Sequence, residues 1–162
     1  MNLKYRNAVE DDFLSICKLF ENAQTLFYSF PNSKYPLDYE QLAKIHKKRF
    51  FPTVFLIENK IIAYSNIYFT ENDQEPHIGN VILDKKYRNK GYGKKIMMTM
   101  IDIAIKEFTP SEIKLAVFET NKNVYKLYKS LGFEPYGVKY RKNHKGINQK
   151  LILMKLEFRF IT

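Results

Sequence analysis

The 162-residue sequence contains little that could cross-link the chain or anchor it in a membrane. Its single cysteine, Cys17, excludes an internal disulfide. No apolar stretch approaches the roughly 18 residues that span a bilayer, and the first residues lack the apolar run of a signal peptide. The glycine spacings of the Walker A loop and of the dinucleotide fingerprint are also missing. Disulfide-rich secreted and membrane-spanning classes are therefore excluded, and we expect a cytoplasmic protein.

The residues that are present indicate one folded domain covering residues 1–162. Hydrophobic residues make up 45% of the chain and charged residues 27%, with 12 tyrosines and 13 phenylalanines but no tryptophan. A chain of this length commonly forms a single domain with a substantial core. The aromatic content argues against disorder.

The net charge of +10 is concentrated in two segments. Residues 84–95 contain six basic residues and Asp84, and residues 139–150 contain five basic residues and no acid. The remaining 16 basic and 16 acidic residues balance. A phosphate-bearing ligand explains the first segment more economically than nucleic acid does. A solvated hairpin is the simplest explanation of the second.

Apolar periodicity predicts a strand, two helices, three strands, a helix, a strand, a helix and two strands. This order predicts an α/β (α+β) fold, with a mixed, mostly antiparallel sheet of about seven strands and helices on both faces. Asp38 is predicted to cap the second helix with Gln41 as reciprocal partner, and Phe50 is placed in that helix. Residues 27–37 contain Pro31 and Pro36, which favour a loop. The third of the three successive strands is expected to begin near His77.

The most informative motif lies between the strand that ends near Leu83 and the long helix from about Tyr92 to Phe108. Arg88, Gly91 and Gly93 open this helix, so that bare main-chain N–H groups can hold a diphosphate. Further along, Asn121, Tyr128 and the pair Gly132-Phe133 follow at fixed spacing. The two motifs together resemble the GCN5-related N-acetyltransferase (GNAT) family, most specifically from residue 78 to residue 134.

The resemblance implies acetyl-CoA as cosubstrate and no metal. The pyrophosphate loop of the family corresponds to Arg88, Asn89, Lys90, Gly91, Tyr92, Gly93 and Lys94. A Cβ at Gly91 or Gly93 would hold the diphosphate away from the backbone. Leu83 matches the position whose backbone groups face the cofactor arm and the thioester oxygen. Asn121 matches a residue that hydrogen-bonds the arm, although it can equally cap a helix.

Three residues are candidates for proton transfer. Tyr128 matches the tyrosine that protonates the departing thiolate in many members of the family, and simple packing is the alternative. His77 falls where some members carry a glutamate as general base, and Glu75 would share its face of the strand. A base acting only through water is the competing interpretation.

The implied function is acetyl transfer from acetyl-CoA to a primary amine by direct attack in a ternary complex. The acceptor is a small molecule or a peptide, and its identity is left open. The alternatives are an acceptor carried on RNA, as in aminoacyl-tRNA acetylation, or a nucleic-acid-binding module without catalysis. Neither a membrane partner nor a particular oligomeric state is indicated, with a homodimer among the options.

Overall fold

The structure is a computed structural model, and it describes residues 2–158. Seven strands form one sheet in the order β1-β2-β3-β4-β5-β7-β6. Only β4 and β5 are neighbours in parallel orientation, and all other neighbours are antiparallel. The strands are β1 (Lys4–Asn7), β2 (Phe50–Ile57), β3 (Lys60–Thr70), β4 (Asp73–Leu83), β5 (Glu112–Phe118), β6 (Glu134–Lys142) and β7 (Asn148–Glu157). The expected fold class is thus confirmed.

Local chemistry sets the first hairpin. Glu58 and Asn59 both have positive φ, at 50° and 65°, and join β2 to β3 as a two-residue turn with Ile57 opposite Lys60. Two predicted boundaries were wrong. Phe50 begins β2 instead of ending a helix, and β4 starts at Asp73, so Glu75 and His77 both lie within it.

Five α-helices cover the two faces of the sheet: α1 (Phe13–Cys17), α2 (Ala23–Ser29), α3 (Tyr39–His46), α4 (Tyr92–Phe108) and α5 (Lys122–Ser130). The loop predicted for residues 27–37 was partly wrong, because its first residues belong to α2. Asn22 and Thr25 cap this helix reciprocally, and it ends before Pro31. Asp38 caps α3 as predicted, but the Gln41 side chain bonds Lys34 and Pro36 instead of the cap.

Each face of the sheet has its own core. The helices α4 and α5 pack on one face, where Met97, Met100 and Phe133 are fully buried among strand residues. The helices α1 to α3 pack on the other face, around Leu42 and Tyr64. Continuous apolar burial on both faces explains why the interior strands read as near-unbroken hydrophobic runs.

The strands β4 and β5 meet only briefly. His77 is registered with Lys114, and no further pair between the two strands is in register. Beyond that point α2 occupies the neighbourhood of both strands: Ser29 Oγ donates to the Val81 carbonyl, and Phe27 packs on Phe118 with ring centroids 4.5 Å apart. From this pairing we infer that the two strands diverge toward their carboxyl ends, and the space between those ends is called the cleft.

A bulge shapes the β4 side of this cleft. Asn80 has a φ of 49°, and the register between β3 and β4 shifts at this position. A bulge of this kind bends a strand and redirects the groups that follow it.

No helix between residues 2 and 158 combines the length and apolarity needed to cross a bilayer. Over the same range, histidine, cysteine and acidic side chains form no group of three arranged to hold a metal ion.

Candidate active site

The turn between β4 and α4 exposes the start of a 17-residue helix. Gly91 is the N-cap residue in the left-handed conformation, with φ 86°, and it has no side chain to satisfy the helix. The first N–H groups of an α-helix have no carbonyl partner one turn earlier. A Cβ built on Gly91 would meet nothing within 4 Å. Bare donors and open space therefore coincide at this end of α4, where the helix dipole also favours an anion.

Gly93 lies in close contact with α5. A Cβ at this position would lie 3.2 Å from Leu127 Cδ2 of α5. The constraint on Gly93 that the structure describes is therefore the close packing of α4 against α5.

The charge around this turn is uncompensated. Five lysines surround it: Lys85, Lys86, Lys90, Lys94 and Lys95. In the described part of the chain, none of them forms an ion pair with a carboxylate. Positive charge and free N–H groups thus act on the same volume.

Arg88 is the exception among the basic residues of the turn. Its Nη2 lies 2.7 Å from Glu21 Oε1, and its Nε donates to the Leu83 carbonyl at 3.0 Å. The Arg88 side chain therefore ties the turn to the segment before α2. It braces the turn through Nε and Nη2, and its Nη1 has no hydrogen-bond partner within residues 2–158.

Leu83 directs its backbone groups into the cleft. The N–H of Asp84 donates to Ile62 of β3, and successive residues of a strand alternate in the side to which they point. The groups of Leu83 accordingly face away from β3. Its carbonyl is taken by Arg88, so the N–H is the group that remains to meet a ligand.

Tyr128 is buried with its ring against the core between α4 and α5. It is 4% exposed and packs on Phe133 at 6.0 Å. Burial raises the pKa of its phenol well above the ordinary value. The hydroxyl has no hydrogen-bond partner within residues 2–158, and it is not among the enclosed polar atoms without a partner. The oxygen therefore reaches solvent at the edge of an otherwise buried ring, in its protonated form.

Asn121 lies at the N-cap of α5, but its side chain makes no capping hydrogen bond. Its backbone carbonyl accepts from Tyr125, as an N-cap carbonyl does. Asn121 was considered as a helix cap or as a hydrogen-bonding partner of the cofactor arm, and its side chain does not cap the helix. Within residues 2–158 the side-chain amide of Asn121 makes no hydrogen bond.

His77 lies on β4 at the closed end of the cleft. It is 8% exposed, and its ring packs on Tyr68 in a tilted arrangement with centroids 4.9 Å apart. Its Nδ1 lies 3.1 Å from the Glu75 carbonyl, which fixes the proton on Nδ1 and leaves Nε2 as an acceptor. Burial lowers the pKa of His77, so the ring is neutral near pH 7.

Glu75 is less suited to proton transfer. One carboxylate oxygen accepts from Ser111 Oγ at 2.6 Å and the other from the Glu112 N–H at 3.1 Å. Both contacts lie at the beginning of β5. Glu75 therefore fastens β4 to β5 at the closed end of the cleft.

Sequence reasoning missed a polar network on the α1 to α3 face, beside the bulge. Arg49 donates to Asn80 Oδ1 at 3.1 Å, and the Asn66 amide donates to the same oxygen at 2.9 Å. The Arg49 guanidinium also lies 4.5 Å from the Tyr68 ring centroid. These residues come from different strands and from the end of α3, so no local sequence signal groups them.

The comparisons with known proteins agree on one family. The model of the acetyltransferase (GNAT) family matches residues 15–133. A spermine/spermidine N(1)-acetyltransferase of Bacillus subtilis is 24% identical over 140 residues, which is 83% of this chain and 89% of that protein. An L-amino acid N-acetyltransferase of Escherichia coli is 26% identical over 86 residues, 52% of this chain and 53% of that protein. The chain thus spans about half the length of several curated relatives that it matches.

A solved structure extends this likeness to the whole fold. The spermidine N-acetyltransferase from Vibrio cholerae, in complex with CoA and spermine, superimposes with a TM-score of 0.79. The match covers 96% of this chain and 95% of that one, at 17% identity. At this level of identity the likeness concerns the fold.

Proposed function

The chain belongs to the acetyltransferase (GNAT) family of acyltransferases, and we propose that residues 1–162 form one N-acetyltransferase domain whose α4 turn binds acetyl-CoA as cosubstrate. The observation that carries the proposal is the coincidence at Gly91 of a left-handed N-cap, open space and unpaired helix N–H groups behind a diverging strand pair. The acceptor is a primary amine.

In this proposal the turn from Arg88 to Lys94 holds the diphosphate. The N–H groups at the start of α4 donate to its oxygens, and Lys90 and Lys94 add charge. Asn89, with φ 61°, and Gly91 set the curvature of the turn, while Arg88 braces it. The cofactor arm then follows β4 into the cleft, where Asn121 offers its free amide.

Acetyl transfer requires a polarised thioester carbonyl and two proton movements. The Leu83 N–H donates to the thioester oxygen, where negative charge develops as the amine nitrogen attacks. A C–N bond forms and the C–S bond breaks. Tyr128 donates its proton to the leaving sulfur, and the amine gives its proton to a base. The products are an amide and a free thiol.

His77 is the proposed base, with Nε2 as the accepting atom. A strand rises about 3.3 Å per residue, so His77 lies about 20 Å along β4 from Leu83. The proton must therefore pass through water. Glu75, the second candidate base, has both carboxylate oxygens engaged and supports the strand junction instead.

The proposal is tested first by calorimetric titration of the purified protein with acetyl-CoA and with CoA. We expect saturable binding of both. Thiol release in the presence of a panel of primary amines then tests the transfer step. Failure to bind either ligand would refute the proposal, and binding without thiol release from any amine would refute the catalytic part.

A further inference from the structure

Arg49 is a half-buried cation without a counter-ion. It follows α3 and reaches back across the α1 to α3 face of the sheet. Within residues 2–158 no carboxylate lies within ion-pair distance of it. Burial lowers the pKa of Arg49, because removal from water disfavours the charged guanidinium. A buried charge that lacks a partner is costly to keep, so its retention calls for a function.

The guanidinium is held in one orientation. Its Nε is committed to Asn80 Oδ1 and its plane lies over Tyr68, while its two terminal nitrogens have no partner in the described residues. Because arginine only donates, Asn80 must present its oxygen to Arg49, and its Nδ2 then donates to the Ser29 carbonyl at 2.7 Å. The fork of Arg49 is therefore fixed in advance by β4 and α2.

The carboxylates of Asp73 and Glu75, on the same strand as His77, already have partners, and Asp73 Oδ2 also lies 3.8 Å from His77 Nε2. Asp73 Oδ2 lies 2.6 Å from Lys114 Nζ, and both oxygens of Glu75 accept hydrogen bonds. Arg141 acts on Tyr68, while Asp73, Lys114 and Lys139 act on His77, so the positive charges outnumber the one carboxylate. The space next to Tyr68 and His77 therefore favours an anionic group.

We propose that Arg49 binds a carboxylate of the acceptor, so that this enzyme acetylates amines that carry a carboxyl group, such as amino acids, in preference to polyamines. This inference rests on the proposed function and names its substrate class. Two parallel N–H bonds from the terminal nitrogens would hold the carboxylate. Arg49 bonds Asn80, which is three residues before Leu83 on β4, and Tyr68 contacts both Arg49 and His77. An acceptor anchored at Arg49 therefore lies next to the bulge, between the thioester at Leu83 and the proposed base.

The position of Arg49 explains why a polycation is disfavoured. A polyamine acceptor needs carboxylates along its binding groove to offset its charges. Here the charged side chains that act on Tyr68 and His77 are Arg49, Lys139, Arg141 and the paired Asp73 and Lys114. A carboxylate, in contrast, forms an ion pair with Arg49.

The test uses matched acceptors that differ only in the carboxyl group. L-Lysine is compared with cadaverine, and L-methionine with methioninamide, by initial rates of thiol release. We expect kcat/KM to be roughly 10- to 100-fold higher for each carboxylated member, the range of a hydrogen-bonded charge pair. Arg49→Met should remove this preference by raising KM for the carboxylated acceptors. The same variant should leave acetyl-CoA affinity and the rates for cadaverine and methioninamide near those of the unaltered protein.

Arg141→Met is the matched control, because it removes a positive charge from the same neighbourhood without removing the fork. Arg141 contacts Asn32 Oδ1 at 2.6 Å and no part of the Asn80 network. An equal loss of preference in this control would overturn the assignment to Arg49. Faster acetylation of spermidine than of every amino acid would overturn the carboxylate proposal and leave the acetyltransferase function intact. Absence of acetyl-CoA binding would refute the function itself.

Discussion

Two segments of the molecule share a net charge of +5 but differ in the backbone beneath that charge. Residues 84–95 surround Gly91, and residues 139–150 surround Gly146. Both glycines are left-handed, with φ 86° and 75°, and neither would bring a Cβ within 4 Å of another group. On charge and on glycine conformation alone, the two segments are nearly equivalent.

The difference lies in the backbone structure around each glycine. Gly91 starts a helix of 17 residues at the end of a strand whose neighbour has diverged. Gly146 closes the turn between β6 and β7, where Asn143 Oδ1 already accepts from the N–H groups of Lys145 and Ile147. Within the described residues, the turn at Gly91 therefore leaves backbone N–H groups without a partner, whereas the N–H groups of Lys145 and Ile147 are bonded inside the turn at Gly146. Positive charge predicts an anion site only where the backbone also leaves donors free.

The sharpest way to break this comparison is to place the same β-branched residue at both glycines. Valine disfavours the left-handed conformation, so Gly91→Val and Gly146→Val should each destabilise the fold by about 1–3 kcal/mol. Only Gly91→Val should lose acetyl-CoA binding, by about 100-fold or more, because the shifted turn no longer aims its N–H groups. Calorimetry and thermal unfolding of both variants provide the measurement. Equal affinity in the two variants would mean that the turn before α4 is not the binding site.

The second prediction concerns the proton donor at the far end of the cleft. Tyr128→Phe should lower kcat about 100-fold with an unchanged dissociation constant for acetyl-CoA. The melting temperature should also be unchanged, because the hydroxyl makes no hydrogen bond within the described residues. Tyr125→Phe, three residues earlier on α5, is the control and should keep its activity. A normal kcat for Tyr128→Phe would reduce this tyrosine to a packing residue.

The local part of the site was predictable from the sequence. The glycine pair, the long apolar stripe of α4 and the spacing to Tyr128 are contiguous signals, and each residue acts within one or two turns of its neighbours. Even α2 had a signal that was overlooked: Asn22 and Thr25 form a capping pair at its start. Pro31 and Pro36 favoured a loop over residues 27–37, but both prolines lie beyond the end of α2 and do not prevent a helix before them.

The long-range part could not be predicted. The Glu21 partner of Arg88 lies 67 positions away in the chain, and Arg49 meets Asn80 only because α3 ends above the β4 bulge. The role of Gly93 depends on α5, another distant element. Such contacts follow from the packing of helices on the sheet. Local propensity carries no information about them.

The third prediction separates charge from backbone. The double variant Lys90→Ala/Lys94→Ala removes two exposed lysines, one just before α4 and one in its first turn. The double variant Lys142→Ala/Lys145→Ala removes two exposed lysines near Gly146. We expect the first pair to weaken acetyl-CoA binding about five- to tenfold, with a larger effect at low salt. The Lys142→Ala/Lys145→Ala variant should bind acetyl-CoA as tightly as the unaltered protein.

The same two variants address the alternative of an acceptor carried on RNA. Titration with tRNA over a range of salt concentrations measures the number of phosphate contacts. We expect weak binding with similar salt slopes for both variants. Tight tRNA binding that depends on Lys142 and Lys145 would make residues 139–150 an RNA-binding surface. It would contradict the conclusion that only residues 84–95 form an anion site.

The smallest expected effect compares two histidines, His77 in the cleft and His144 in the turn of the second segment. Burial lowers the pKa of His77, so its neutral form is favoured in the folded protein, with Asp73, Lys114 and Lys139 as the facing charges. Its contribution to stability is therefore complete above the unfolded pKa of about 6.5 and is lost as pH falls through the lower folded pKa. His77→Gln should flatten the decline in melting temperature between pH 7.5 and pH 5.5. It should also lower kcat about tenfold at pH 7.5. This loss is smaller than for a base that contacts the amine, because the proton passes through water. The exposed His144, replaced by glutamine, should change neither quantity, and an unaltered acid limb in the pH–rate profile of His77→Gln would assign the proton to water alone.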